Sequence, residues 1–286
     1  MFHVKQMKNY KNYYCTTKDT LATGELFSVY FNKDQSVART KIDSDEDMYR
    51  FYKTNNYHSH QETSKTVTDK IYFISHRLML YFKYRLIKPK GRNQKLLDYG
   101  CGNGGFLKYI SDKNINTTGV EKSLTSQKVC RSKGLNVFSS IKHIKQLNYN
   151  VITLWHVLEH VSNPLKCISA LSRLLSIDGS LVIAVPNIQS IDSQLFKSEW
   201  AALDVPRHLW HFTPKGLIDL LQKEHFVLYK KKPLFLDAYY ISLLSAKRKK
   251  IFFPWLIAIF VGSVSNIFGI FTGNYSSSVF VFKKTN

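Results

Sequence analysis

Cysteine is scarce in this chain and badly placed for cross-linking or metal binding. Cys15, Cys101, Cys130 and Cys167 are scattered and form no CxxC pair, so they exclude a disulfide framework and a zinc-finger site. The opening Met1–Lys8 has no apolar h-region, which argues against a secretory signal and sets the expectation of a cytoplasmic protein. Acidic residues are also few: 20 against 41 Lys and Arg leave a formal charge of +21. Such a charge invites nucleic acid as a partner. The basic residues run along the whole length, however, and cluster only at Lys230–Lys232 and Lys247–Lys250, with no zinc finger, RNP string or basic helix. Nucleic acid is therefore disfavoured; an anionic lipid surface or an acidic small substrate accounts for the charge equally well. A P-loop is excluded, since no G-x-x-x-x-G-K-[ST] string occurs.

What is present is a glycine-rich turn. The apolar pair Leu96-Leu97 leads into Asp98-Tyr99-Gly100-Cys101-Gly102-Asn103-Gly104-Gly105, and Phe106–Ile110 then opens a helix. A buried strand that ends in an acid, followed by a turn with little side chain, lets a ligand meet main-chain N–H groups at the helix start. Glu121 closes the next apolar run, about 20 residues on, where an acid can grip ribose hydroxyls. The glycines fit two templates. Gly100, Gly102 and Gly105 satisfy the dinucleotide pattern G-x-G-x-x-G, whereas Asp98, Gly100, Gly102 and Gly104 satisfy D-x-G-x-G-x-G. Charge separates them, because a carboxylate at the strand end repels a pyrophosphate and attracts a cationic amino-acid end.

Three further motifs follow in order. A strand, Val151–Trp155, precedes His156-Val-Leu-Glu159-His160-Val-Ser-Asn-Pro164, in which Asn163 and Pro164 read as the cap and first position of a helix. Ser180–Asn187 forms another strand, and Pro206-Arg-His208-Leu-Trp-His211-Phe-Thr-Pro214 comes after it. With the glycine turn, these motifs resemble the class I S-adenosylmethionine-dependent methyltransferases, in the group that includes the ubiquinone-biosynthesis O-methyltransferases. The last string is similar to the "PRHL-x-HFTP" of a bacterial branch. The resemblance covers residues 95–229 most strongly. It implies an α/β, Rossmann-like doubly wound sheet of seven strands, the last (278–284) antiparallel. It also implies S-adenosyl-L-methionine as cofactor, held by Asp98, Gly100, Gly102, Gly104 and Glu121. Trp155 either borders that cofactor or packs in the core. Resembling enzymes can bind a divalent cation in the loop after the fourth strand; His156 stands where they have an acid, and no metal is assigned. Asn150 likewise replaces an acid often found before that strand.

The chain divides into an accessory region (1–90), a core (91–232), a helical insertion (233–275) and a final core strand (276–286). Residues 1 to about 65 read as irregular, with a short helix started by the acidic Asp43–Asp47 and carrying Met48, Phe51 and Tyr52. A long helix is expected over 66–87, from apolar Ile71, Ile74, Leu78, Phe82 and Leu86. Strands and helices then alternate, which demands a parallel sheet wrapped on both faces. Residues 251–271 are almost wholly apolar and long enough to span a membrane. A crossing would strand the seventh strand away from its sheet, so the readings kept are a lid over the acceptor pocket and interfacial membrane attachment through 247–271.

Methyl transfer to a hydroxyl needs alignment and removal of a proton. His156, His208 and His211 are the candidate bases, each with a structural role as its alternative. H-x-x-E-H also matches an inverted zinc-peptidase string, but Pro164 ends the turn too soon for two helical turns of ligands. Arg207 is a candidate partner for an anionic substrate group. The expectation is a methyltransferase acting on a small-molecule or lipid-like acceptor at oxygen. Its rivals are a nicotinamide (NAD(P)-dependent) oxidoreductase and a non-catalytic membrane-associated binding module.

Overall fold

The computed structural model describes residues 9–42, 50–51, 67–87, 94–145 and 147–285, with side chains from 75 onward in the first helix except at 76. The short helix expected from Asp43 lies outside these residues, apart from Phe51.

The core is a seven-stranded sheet in the order β6-β5-β4-β7-β8-β11-β10. Its strands are β4 (Lys95–Tyr99), β5 (Asn116–Val120), β6 (Val137–Phe138), β7 (Tyr149–Trp155), β8 (Leu175–Pro186), β10 (Phe226–Pro233) and β11 (Ser277–Lys284). β11 runs antiparallel to both neighbours and the other pairings are parallel, in agreement with the expected seven-stranded fold. Each central strand buries both faces, so apolar residues run on without interruption. Leu96 and Val182 join one apolar cluster while their chain neighbours Leu97, Leu181 and Ile183 join the cluster on the opposite face. Truncating a fully buried residue such as Ile183 to Ala costs about 2–5 kcal/mol.

Helices α1 (Val67–Ile87), α2 (Gly105–Ser111), α3 (Leu124–Ser132), α4 (Pro164–Ser172), α5 (Ile191–Phe196) and α6 (Pro214–Gln222) accompany the sheet. Caps fix where two of them start. Asn163 accepts from the Lys166 N–H at 3.0 Å ahead of Pro164, and Thr213 accepts from the Gly216 N–H at 3.0 Å ahead of Pro214. Insertion residues form α7 (Phe235–Arg248) and α8 (Pro254–Thr272), packed against each other.

The N-terminal region differs from the irregular chain expected. β1 (Tyr10–Lys18), β2 (Leu26–Asn32) and β3 (Val37–Thr40) form an antiparallel sheet, completed by β9 (Trp210–Phe212). Bulges between Tyr10 and Asn12 and between Tyr13 and Cys15 break the two-residue alternation of β1, which hides it from pattern reading. Ala38 pairs with His211 and Arg39 with Trp210, so the small sheet clasps the segment after β8. A third apolar cluster joins Val29 and Ala38 to Trp200, Leu203, Ile241 and Val261, tying the N-terminal sheet to α7 and α8.

Candidate active site

Doubly wound sheets bind ligands at the carboxyl ends of the strands where the order reverses, here between β4 and β7. Asp98 lies at that end of β4 and is 2% exposed. Register pairs it with Thr153 of β7, whose hydroxyl donates to its Oδ1 at 2.6 Å. Burial pushes the Asp98 carboxyl up to about 6; the Thr153 hydrogen bond and the Lys83 charge pull the other way.

The turn that follows needs its glycines. Gly100, Gly102 and Gly104 have φ of +76°, +54° and +76°. A Cβ on Gly100 would come within 2.5 Å of Val157 Cγ2, whereas one on Gly102 meets nothing within 4 Å among the described residues. Gly100 is thus set by packing, whereas among the described residues nothing crowds the main chain of Gly102. Glu121, at the end of β5, accepts from Gly102 N–H at 2.9 Å and from Ser123 N–H at 2.8 Å, so its carboxylate lines the same turn.

Trp155 closes β7 and packs edge-on against Phe106, centroids 5.3 Å apart. Lys83 of α1 lays its ammonium 4.4 Å from the Trp155 ring centroid and 5.8 Å from that of Phe106. Burial lowers the Lys83 pKa against the pull of Asp98 and Asp237. Asp98, Trp155 and Phe106 therefore surround a cation already. A cofactor with a cationic end fits this donor set, with Lys83 standing in for it.

His156 adopts a φ of +55° just past β7. Its Nδ1 lies 3.4 Å from Glu159 Oε1 and its Nε2 3.1 Å from Asp237 Oδ2 on α7. Burial lowers its pKa, but the two carboxylates outweigh that and raise it to about 9. In this arrangement His156 holds its proton at neutral pH.

The other histidines meet in a second cluster. The turn Leu158–His160 interlocks with 207–211: Leu209 N–H donates to the Glu159 carbonyl at 2.8 Å, and Trp210 Nε1 to that of Val161 at 2.9 Å. His160 Nδ1 donates to the Arg207 carbonyl at 3.0 Å, and its ring stands edge-on to His208 at 4.5 Å. Burial and the neighbouring His208 push His160 down to about 4. His208 Nδ1 donates to the Ala202 carbonyl at 2.8 Å. His211 Nε2 lies 2.9 Å from the Thr40 hydroxyl; that hydroxyl already donates to the His208 carbonyl, so Nε2 carries the proton. His208 and His211 are 9% and 4% exposed, walled in by the N-terminal sheet.

Glu159 is 1% exposed and, its 3.4 Å ion pair with His156 aside, neither of its carboxylate oxygens has a hydrogen-bond partner among the described residues. It brings an oxygen within 4.8 Å of ligand nitrogens on His160 and His208, a set that could hold a divalent cation. The His156 imidazolium competes for the same carboxylate. Arg207 is fully buried and bonded to Asp19 at 2.9 Å, to Asp204 at 2.8 Å and to the Phe51 carbonyl at 3.2 Å. Those partners turn it inward to the fold instead of toward a substrate.

Lys83 and Asp237 escaped the sequence reading. Asp237 carried a signal, being the only acid between residues 233 and 275. Lys83 carried none.

A family profile described as a methyltransferase domain matches residues 68–231. The chain is similar to an uncharacterized protein of Methanocaldococcus jannaschii, 28% identical over 143 residues, covering 48% of this chain and 62% of that protein. It is also similar to the ubiquinone biosynthesis O-methyltransferase of Erwinia tasmaniensis, 25% identical over 137 residues, covering 44% of this chain and 54% of that enzyme. The match thus spans somewhat more than half the length of these relatives. Among solved structures it is similar to a SAM-dependent methyltransferase of Thermotoga maritima, with a TM-score of 0.50 at 14% identity, covering 76% of this chain and 95% of that one. The cyclase SpnF gives the same TM-score and identity, covering 72% and 80%. At such identities the likeness is one of fold, and one fold carries several chemistries.

Proposed function

Because this chain belongs to the methyltransferase-domain family, whose profile covers more than half of it, we propose that it is an S-adenosyl-L-methionine-dependent enzyme methylating a small-molecule or lipid-like acceptor at oxygen. The observation that carries this reading is the buried Asp98 carboxylate beside the open main chain of Gly102. Asp98 holds the cationic amino-acid end of the cofactor, with Trp155 and Phe106 as aromatic walls. Glu121 takes the ribose hydroxyls with the lone pairs that its two backbone bonds leave. Gly100 and Gly104 keep the turn in the left-handed backbone that leaves Gly102 bare.

The cofactor supplies an electrophilic methyl group for direct displacement by the acceptor oxygen. His156 stands on the acceptor side, at the tip of β7. An acceptor hydroxyl that displaces Asp237 from His156 Nε2 lowers the affinity of the imidazolium for its proton, which leaves to solvent, and the neutral ring then takes the hydroxyl proton as the acceptor oxygen gains the methyl group. The oxygen assignment draws on the similarity to the O-methyltransferase of Erwinia tasmaniensis and on this histidine. The oxidoreductase alternative is weakened by the carboxylate at the strand tip, which repels a pyrophosphate.

Calorimetry with the methyl donor and with NADH, followed by S-adenosylhomocysteine release against hydroxylated quinones, polyketides, sugars and lipid precursors, tests the reading. Heat with the donor and release with a hydroxylated acceptor support it. Heat with NADH alone, or a donor that binds but is never consumed, counts against it.

A further inference from the structure

We propose that the α7–α8 hairpin docks the protein on the surface of an anionic lipid bilayer. Helix α8 is long and apolar enough to cross a membrane by length and composition. Its inner side, however, is fastened to the core. Ser265 Oγ donates to the buried Asp192 at 2.7 Å, and Asn266 Nδ2 donates to the Phe235 carbonyl at 3.1 Å. Gly262 and Gly269 lie so close to Tyr239 and Tyr275 that a Cβ would come within 2.6 and 2.3 Å of those rings. Strand β11, which follows α8, sits between β8 and β10. A helix held this way lies along the protein instead of threading a membrane.

Its outer side is apolar and open. Leu256, Phe260, Ile267 and Phe271 recur at helical spacing and are 47–84% exposed. Phe252 and Trp255, at the turn between the helices, are 86% and 55% exposed. Soluble monomers rarely present so continuous an apolar face, and a helix with such a face settles at the headgroup boundary. Aromatic residues at the turn suit the same boundary.

Charge decides what covers this face. Lys247, Lys249 and Lys250 are exposed beside the aromatic turn. At the foot of the hairpin, Arg85, Lys230 and Lys232 line a cleft of about 500 Å³ with Phe235 and Tyr275. Helix α8 itself carries no charged residue. An apolar strip bracketed by cations at both ends complements anionic headgroups above acyl chains. A second copy of this chain would bring like charge against like. The inner side of the hairpin presents Asp237 to His156, so the docked bilayer lies one helical layer from the candidate site.

Flotation of the full chain with vesicles of phosphatidylcholine alone, or with phosphatidylglycerol added, tests docking without any turnover, so its outcome is separate from that of the methyl-transfer reading. The chain should float with the anionic vesicles, at least tenfold less with the neutral ones, and less as salt rises. Replacing Phe252, Trp255 and Phe260 together by Ser, or Lys247, Lys249 and Lys250 together by Ser, should each lower partitioning at least tenfold. Brominated lipid should quench the tryptophan fluorescence of the native chain, and Trp255→Phe should reduce that quenching, a readout that needs no destabilising change. The proposal is overturned if the native chain stays at the bottom of both gradients, or if quenching survives Trp255→Phe undiminished. Light scattering that finds the face closed in a stable dimer indifferent to vesicles overturns it too.

Discussion

Replacing Asp98 by Asn separates what this carboxylate costs the fold from what it does for binding. Asn has the same shape, and its Oδ1 can still accept from the Thr153 hydroxyl, which lies 2.6 Å from Asp98. Only the charge goes. Burial raises the Asp98 pKa from 3.8 to about 6 in the folded chain. A raised acid pKa means the native state holds its proton longer than the unfolded one, so this stability is complete below about pH 4 and lost as pH rises through 6. Two pKa units correspond to about 3 kcal/mol. Asn cannot ionise, so Asp98→Asn should gain on the native protein by about 3 kcal/mol between pH 4 and pH 7, whatever their difference at the acid end. Urea unfolding at several pH values measures the gap, provided both proteins share one m-value. At neutral pH the same variant should bind the methyl donor at least tenfold more weakly, since a hydrogen bond to a charged group contributes about 1.5–3 kcal/mol. A gap that stays constant with pH, or donor affinity left intact, would refute the reasoning.

Gly100→Ala and Gly102→Ala both place Ala in left-handed backbone at a cost of about 1–2 kcal/mol, but only the first also drives a Cβ into Val157. Gly100→Ala should therefore be the less stable by about 1–3 kcal/mol, while Gly102→Ala loses donor affinity with its fold intact; equal stabilities would be wrong for this turn. Asp237→Asn removes the main support of the raised His156 pKa, so the limb of the pH–rate profile that follows His156 should move to lower pH, and an unmoved limb would separate His156 from the proton transfer. Arg207→Met leaves Asp19 and Asp204 without their shared cation in the interior and should cost about 3–5 kcal/mol in urea unfolding, against less than 1 kcal/mol if the cluster were solvated.

Much of the glycine turn and its flanking acid was legible in the sequence because it is local. One strand, one turn and one acid are contiguous from Leu96 to Gly105, and the glycine pattern follows from the φ angles that this turn must adopt. The parallel, doubly wound character of the sheet was legible for a related reason: strands buried on both faces leave unbroken apolar runs between helices. Pro164 marked one helix start to the residue. The N-terminal sheet was not legible, since bulged β1 loses its alternation and β3 gains its meaning only from pairing with β9.

The histidines show the same division more sharply. The sequence fixes that His156, His208 and His211 exist near the ends of β7 and β8; it has no means of assigning their protons. That assignment came from Asp237, which α7 brings to His156, and from Thr40 and Ala202, which enclose His211 and His208. Arg207 looks like a substrate ligand in the chain and is a buried clasp in the fold. Turn geometry and strand pattern are properties of neighbouring residues. Proton affinity and exposure depend on which distant groups share a low-dielectric space, and only the tertiary structure brings those groups together.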